Sequence, residues 1–217
     1  CLGCGDLAGT GDADWLCSDC RKKLHPKAHT AYSRHWGADG ISKGYFALYY
    51  GPPISGLIRA FKYESVYRCA DYLVQLMEPV LQTIRPEDYD CLVPVPLHYD
   101  RQWTRGFNQA EVLAHLIGRR LGLPVNTELK RGVNTRKQAR LRVSQRHENV
   151  KNAFYTKASY QGMRILIVDD VLTTGSTVCA CAKALRKAGA TDVAALTIAG
   201  SHIYRRRRKN FSIILRK

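Results

Sequence analysis

Two groups of residues have the types and spacing to do chemistry. The first is the run Ile165-Leu166-Ile167-Val168-Asp169-Asp170-Val171-Leu172-Thr173-Thr174-Gly175-Ser176-Thr177. Its four leading apolar residues read as a buried strand. Two adjacent carboxylates follow, then a hydroxyl-rich turn with one glycine that opens a helix. Backbone N–H groups at a helix N-terminus, backed by the helix dipole, favour a phosphate. Carboxylates beside that phosphate suit the vicinal hydroxyls of a ribose. The run therefore reads as a cradle for a ribose phosphate. A Walker A loop is excluded because the run has no Gly-Lys-Ser/Thr, and a dinucleotide fingerprint is also absent.

The second group is Cys1, Cys4, Cys17 and Cys20, spaced Cys-x2-Cys-x12-Cys-x2-Cys. Two chelating pairs of thiolates meet the demand of a closed, tetrahedral zinc site. Four protein ligands leave no position open for water, so the expected role is structural. A redox pair or disulfides is the competing reading, disfavoured in a cytosolic setting. Cys69, Cys91, Cys179 and Cys181 lack paired spacing and sit among apolar residues, as buried free thiols do.

The elements that must position these groups follow from the patterning. At 217 residues the chain is long enough for one sizeable α/β domain plus a small appendage. No apolar run reaches the length of a membrane span, and no signal-peptide pattern opens the chain, so the default location is the cytoplasm. The spacing predicts a loop-rich metal module over 1–36, with a linker near 33–40. A strand is expected at Tyr45 to Tyr50. Ile54, Leu57, Ile58 and Phe61 recur at helical spacing. A longer helix should follow, with Val66, Cys69, Ala70, Leu73, Val74, Met77, Val80 and Leu81 on one face. A buried parallel strand is expected over 90–96. Helices are expected over 107–121, capped by Gly122, and over 175–188, closed by Gly189. Further buried strands are expected over 164–168 and 193–199. This order of strands and helices defines a doubly wound α/β sheet.

The run at 165–177 resembles the phosphoribosyl pyrophosphate (PRPP) motif of type I phosphoribosyltransferases at every position. The wider chain resembles the ComF/GntX family of competence-associated proteins. The resemblance rests on Leu57-Ile58-Arg59-Ala60-Phe61-Lys62-Tyr63, Val93-Pro94-Val95-Pro96-Leu97, Arg105-Gly106-Phe107-Asn108-Gln109-Ala110, the series Thr135, Gln138, Leu141, Arg146 and Asn149, and the paired cysteines. It implies a type I phosphoribosyltransferase-like, mostly parallel sheet over 37–202, preceded by a four-cysteine zinc ribbon over 1–36 and followed by a basic tail over 203–217. It further implies that Asp169 and Asp170 hold the ribose hydroxyls and that Val171, Leu172, Thr173, Thr174, Gly175, Ser176 and Thr177 form the loop around the 5′-phosphate. Pro96 and Leu97 would open the pyrophosphate loop, with Arg101 or Arg105 as anion partners, and Lys62 would stand near the acceptor pocket. Magnesium is implied with PRPP. The basic stretch 130–151 would match the loop that closes over such sites.

The net charge of +16 reads either as the basic surface of a soluble protein or as a match for a polyanionic partner, nucleic acid or a multiply phosphorylated small molecule. Two functions compete. One is a PRPP-binding protein of natural competence that handles incoming single-stranded DNA, alongside proteins of the competence machinery. The other is a purine- or pyrimidine-type phosphoribosyltransferase of nucleotide salvage with no DNA role. Trp15, Tyr32 and Trp36 either stack on single-stranded bases or, the favoured reading, pack the small module.

Overall fold

The computed structural model describes residues 1–6, 15–63, 69–97, 106–132 and 153–204. Arg101, Arg105, Val66, most of the basic stretch 130–151 and the tail from Arg205 onward lie outside the described residues.

Five strands form one sheet in the order β1-β2-β7-β6-β3. These are β1 (His29–Ala31), β2 (Gly44–Tyr49), β3 (Cys91–Pro94), β6 (Arg164–Leu172) and β7 (Asp192–Gly200). Only β1 runs antiparallel to its neighbour; the other pairings are parallel. A separate two-stranded ribbon pairs β4 (Lys130–Arg131) with β5 (Phe154–Tyr155).

The central strands read as unbroken apolar runs because helices cover both faces of the sheet. Along β6, Leu166 and Val168 join a core with Leu57, Phe61, Leu73, Leu113 and Ile117. Ile165 and Ile167 face the opposite way, into a core with Val178, Cys181 and Leu185. The first core is supplied by α2 (Ile54–Tyr63), α3 (Cys69–Leu76), α4 (Glu78–Leu81) and α5 (Gln109–Leu121). The second is supplied by α6 (Ser176–Lys187). This is the doubly wound arrangement that the patterning requires.

Local signals explain the helix limits. The Asn108 side chain accepts from the N–H of Ala110 and starts α5, and Gly122 ends it in the left-handed region at φ 69°. Ala110, Leu113, Ala114 and Ile117 are all buried. The single long helix expected to reach residue 81 is instead broken at Met77 into α3 and α4. Pro79 sits in the first turn of α4, where its missing N–H costs nothing, whereas within a continuous helix it would clash with the preceding turn. Cys69, Cys91, Cys179 and Cys181 are buried and form no disulfide among the described residues, as expected of thiols used as small apolar groups.

The amino-terminal segment is continuous with this architecture. The short α1 (Ser18–Lys22) carries Cys20, and Leu16 and Cys20 belong to the same core as Ile54 and Leu57. The sheet itself begins at His29, inside the span 1–36. Residues 33–40 do more than link. A 3-10 turn, Arg34–Trp36, buries Trp36 to 4% exposure in the second core, against the far end of β6.

Candidate functional site

Strand β6 runs four residues beyond the apolar stretch, through Asp169 and Asp170 to Leu172. Backbone pairing with β7 holds these positions: Asp169 lies beside Thr197 and Leu172 beside Gly200. The Ser201 N–H donates to the Leu172 carbonyl at 2.8 Å and closes the strand end. The carboxylates therefore stand at the carboxyl edge of a parallel sheet, where open α/β folds bind ligands.

The turn that follows exposes Thr173, Thr174, Ser176 and Thr177 and buries Gly175. Gly175 caps α6 at φ 85°, a conformation costly to any residue with a Cβ. Space is as restrictive as conformation, because a side chain on Gly175 would run into the Trp36 indole. The Trp36 Nε1–H donates to the Thr174 carbonyl at 3.2 Å. Thr174 Oγ1 lies 2.7 Å from Ser176 Oγ and accepts from the Ser176 N–H at 3.3 Å. The N-cap residue Gly175 has no side chain to offer, so beyond the Ser176 N–H bonded to Thr174 the first N–H groups of the helix are left to the hydroxyl-lined turn. A cavity of about 350 Å³ flanks this turn, with Ser33, Trp36, Cys179 and Tyr204 among its walls.

The two aspartates differ in their surroundings. Asp170 is 8% exposed, and its Oδ2 forms an ion pair with Lys62 Nζ at 2.7 Å. Among the described residues Asp169 has no such ion-pair partner. Burial pushes its carboxyl up to about 7, and the neighbouring Asp170 charge adds to the push. The Asp170 N–H, which donates to Asp169 Oδ1 at 2.9 Å, opposes that shift, as do the charges of Lys62 and Arg131. Lys62 is itself fixed from behind, since its carbonyl accepts from Nε2 of the buried Gln109 at 3.3 Å. Pro96 and Leu97 continue from β3 on the same sheet edge, where the Val95 N–H donates to the Val168 carbonyl at 2.9 Å.

The fold thus brings together Lys62, Asp169, Asp170 and the turn 173–177, with Pro96 and Leu97 on the adjacent strand end. Trp36 is a neighbour that the sequence did not assign to this place, and Arg131 opens the basic stretch 130–151 that the resemblance assigns to the loop over the site. Arg131 stands 5.2 Å over the Phe154 ring on the two-stranded ribbon, and its charge reaches Asp169. The chain carried a signal for Arg131, the first basic stretch after α5, but none for its distance to β6.

The four amino-terminal cysteines converge as their spacing demands. Their sulfurs all lie within 4.8 Å of one another, with Cys4 Sγ and Cys17 Sγ 3.9 Å apart. A tetrahedron with metal–sulfur bonds of about 2.3 Å has edges of about 3.8 Å. The donor set and separations therefore fit a tetrahedral metal ion. Without one, burial pushes the Cys20 thiol up to about 11, while the Cys20 N–H beside Cys17 lowers that thiol.

Residues 108–215 match the phosphoribosyl transferase domain model. With the parallel sheet and its strand–turn–helix, this defines a protein built on a phosphoribosyltransferase-type domain. The chain is 31% identical over 199 residues to Competence protein F of Haemophilus influenzae, a match covering 82% of this chain and 87% of that one. It is 37% identical over 149 residues to DNA utilization protein YhgH of Salmonella typhi, 66% of either chain. Competence protein ComFC of Bacillus subtilis is 36% identical over 117 residues, which span 53% of this chain and 46% of that one. The chain belongs to the ComF family of competence-associated proteins with a phosphoribosyltransferase-like domain. No helix among the described residues is long and apolar enough to cross a membrane.

Proposed function

We propose that this protein binds PRPP, with magnesium, at the carboxyl end of β6, and that it handles incoming single-stranded DNA in natural competence. The observation that carries the first part is the placement of Asp169 and Asp170 at the strand end that leads into the glycine-capped start of α6. Asp169 and Asp170 take the ribose 2′ and 3′ hydroxyls. Val171 and Leu172 lead the backbone into Thr173, Thr174, Gly175, Ser176 and Thr177, which wrap the 5′-phosphate. Pro96 and Leu97 begin the pyrophosphate loop, to which Arg101 or Arg105 supplies the cation. Lys62 holds Asp170 and lies toward the acceptor side. The oxygen-rich strand end suits a hard cation, and magnesium, held largely by substrate oxygens and waters, neutralises charge on the pyrophosphate. The cysteine cluster holds zinc in a structural role. The competence relatives and the charge of +16 support the DNA-handling part.

Displacement of pyrophosphate at C1′ asks the chain only for positioning and charge neutralisation. The same residues therefore serve retention of PRPP as an effector or its use in transfer. The deciding experiment is a thermal-shift titration with PRPP and magnesium, run beside the Asp169→Asn/Asp170→Asn variant. A shift in the parent chain that the variant loses is expected; no shift in the parent chain overturns the reading. Pyrophosphate release across candidate bases then separates retention from transfer.

A further inference from the structure

Residues 20–38 and 40–63 hold 8 Lys and Arg and not one Asp or Glu, and residues 193–204 hold no acid, in a chain with 34 cations and 18 acids. These stretches are far apart in sequence, yet they supply β1, β2 and β7, which are adjacent in the sheet. The topology therefore sets acid-poor segments side by side, with Asp192 at the first position of β7 the one acid in these strands.

Rings are stacked on that side. His29 lies 5.0 Å from Phe46 at an interplanar angle of 20°, and 4.7 Å from Tyr49. Tyr49 lies 5.1 Å from His202 at 14°. Phe46 fits beneath because Gly200 has no side chain; a Cβ there would meet its ring at 2.7 Å. His29 and Tyr49 are half-buried, and His202, where the stack ends, is exposed. The next residue, Ile203, is 53% exposed although apolar. The ring series also continues inward, from Phe46 to Tyr204 at 6.3 Å and from Tyr204 to Trp36 at 5.9 Å. Arg205-Arg206-Arg207-Arg208-Lys209 follows Tyr204 directly in sequence.

We propose that the β1–β2–β7 side of the sheet, with the stacked rings of His29, Tyr49 and His202, is the surface on which single-stranded DNA lies. This rests on the DNA-handling reading above and adds the place and mode of contact. Single strands offer bases whose faces are free, and each can extend a ring stack regardless of its identity. Their phosphates are drawn by cations, and the one acid of these three strands, Asp192, opens β7 at the end away from His202. A duplex hides its base faces. An acidic protein would answer the charge but would leave the exposed stack unused.

The test is fluorescence anisotropy with a labelled 20-nucleotide oligo-dT, a duplex of equal length and heparin, across a salt series. His202→Ala combined with Tyr49→Leu should weaken oligo-dT binding about tenfold or more and leave the slope of log K against log salt unchanged. His202→Ala alone, at an exposed position, should cost about threefold or more, which covers any folding defect in the double variant. Tyr49→Phe should bind like the parent chain, because it keeps the ring. Unchanged oligo-dT affinity in the ring variants overturns the proposal. So does an equal loss toward heparin and duplex, or tighter binding of polyglutamate than of oligo-dT. The PRPP thermal shift of the parent chain reads the ribose-phosphate site separately: its absence removes that reading and leaves the oligonucleotide outcomes standing.

Discussion

The cysteine cluster and the carboxylate turn are assembled on opposite plans. All four sulfurs of the cluster come from one stretch of 20 residues, and they converge to within 4.8 Å with every ligand position filled by the chain. The turn also begins locally, as strand, two acids and glycine. Its character comes from elsewhere: Lys62 from α2, Trp36 from the amino-terminal segment and Arg131 from the ribbon. The cluster is closed and the turn is open. A site meant to hold something permanently can be written in spacing alone. A site meant to exchange its ligand needs neighbours that only the tertiary fold can deliver.

The comparison breaks most sharply if the proposed zinc is withdrawn. Zinc in a site of this kind supplies about 10 kcal/mol or more of folding free energy to its own segment. Chelation should therefore expose the cysteine segment to protease, read by mass spectrometry, while the α/β core keeps its far-ultraviolet signal. Metal analysis should find close to one equivalent of zinc; less than half an equivalent, with no iron, would sink the assignment.

The open site is tested next. PRPP at about a hundred times its Kd should stabilise the chain by about 2.7 kcal/mol, a rise in Tm of roughly 5–10 °C. Gly175→Ala forces a Cβ onto a residue at φ 85° and into the Trp36 ring. It should abolish that rise and itself cost about 1–3 kcal/mol, with zinc content unchanged.

Acidity gives a finer test. The folded-state carboxyl of Asp169 stands raised, at about 7, above its unfolded value. Between about pH 4 and pH 7 the folded chain thus holds a proton that the unfolded chain has lost. Stability of the ligand-free protein should fall as pH rises through that window, by at most about 1.4 kcal/mol per pH unit. Asp169→Asn should remove this contribution. Urea midpoints at pH 4.5, 5.5 and 6.5 would reveal it, and parallel curves for both chains would contradict it. The smallest effect belongs to Trp36→Phe, which keeps a ring but loses the hydrogen bond to Thr174. About 1 kcal/mol, or fivefold weaker binding, is expected for ribose 5-phosphate, with inorganic pyrophosphate binding unaffected.

What could be read in advance follows the same division. The run 165–177, the cysteine spacing, the four inward residues of α5 and its Gly122 cap all rest on neighbours a few positions apart, and periodicity reports them. Three features escaped it. The sequence favours packing of Trp36 in the small module, yet its hydrogen bond spans 138 residues to Thr174. Lys62 had no visible partner until α2 brought it to Asp170. Strand β6 extends through both aspartates because β7 pairs with it there, and two adjacent carboxylates give no local propensity for a strand. Pro79 is a local signal for the break in the helix, outweighed in the pattern by an apolar stripe that continues on both sides of it.

The pairing of β2 with β7 also bears on how the chain is made. Gly44 aligns with Ala195 and Tyr49 with Gly200, so a strand made early waits for one made about 150 residues later. At ribosomal rates of about 5–20 residues per second, that wait lasts roughly 8–30 s. Throughout it, Tyr45, Phe46, Ala47 and Leu48 have no native neighbour on the β7 side. The nascent chain therefore presents a sticky strand edge during synthesis, a natural point for chaperone engagement, and the sheet can close only after residue 200 has emerged.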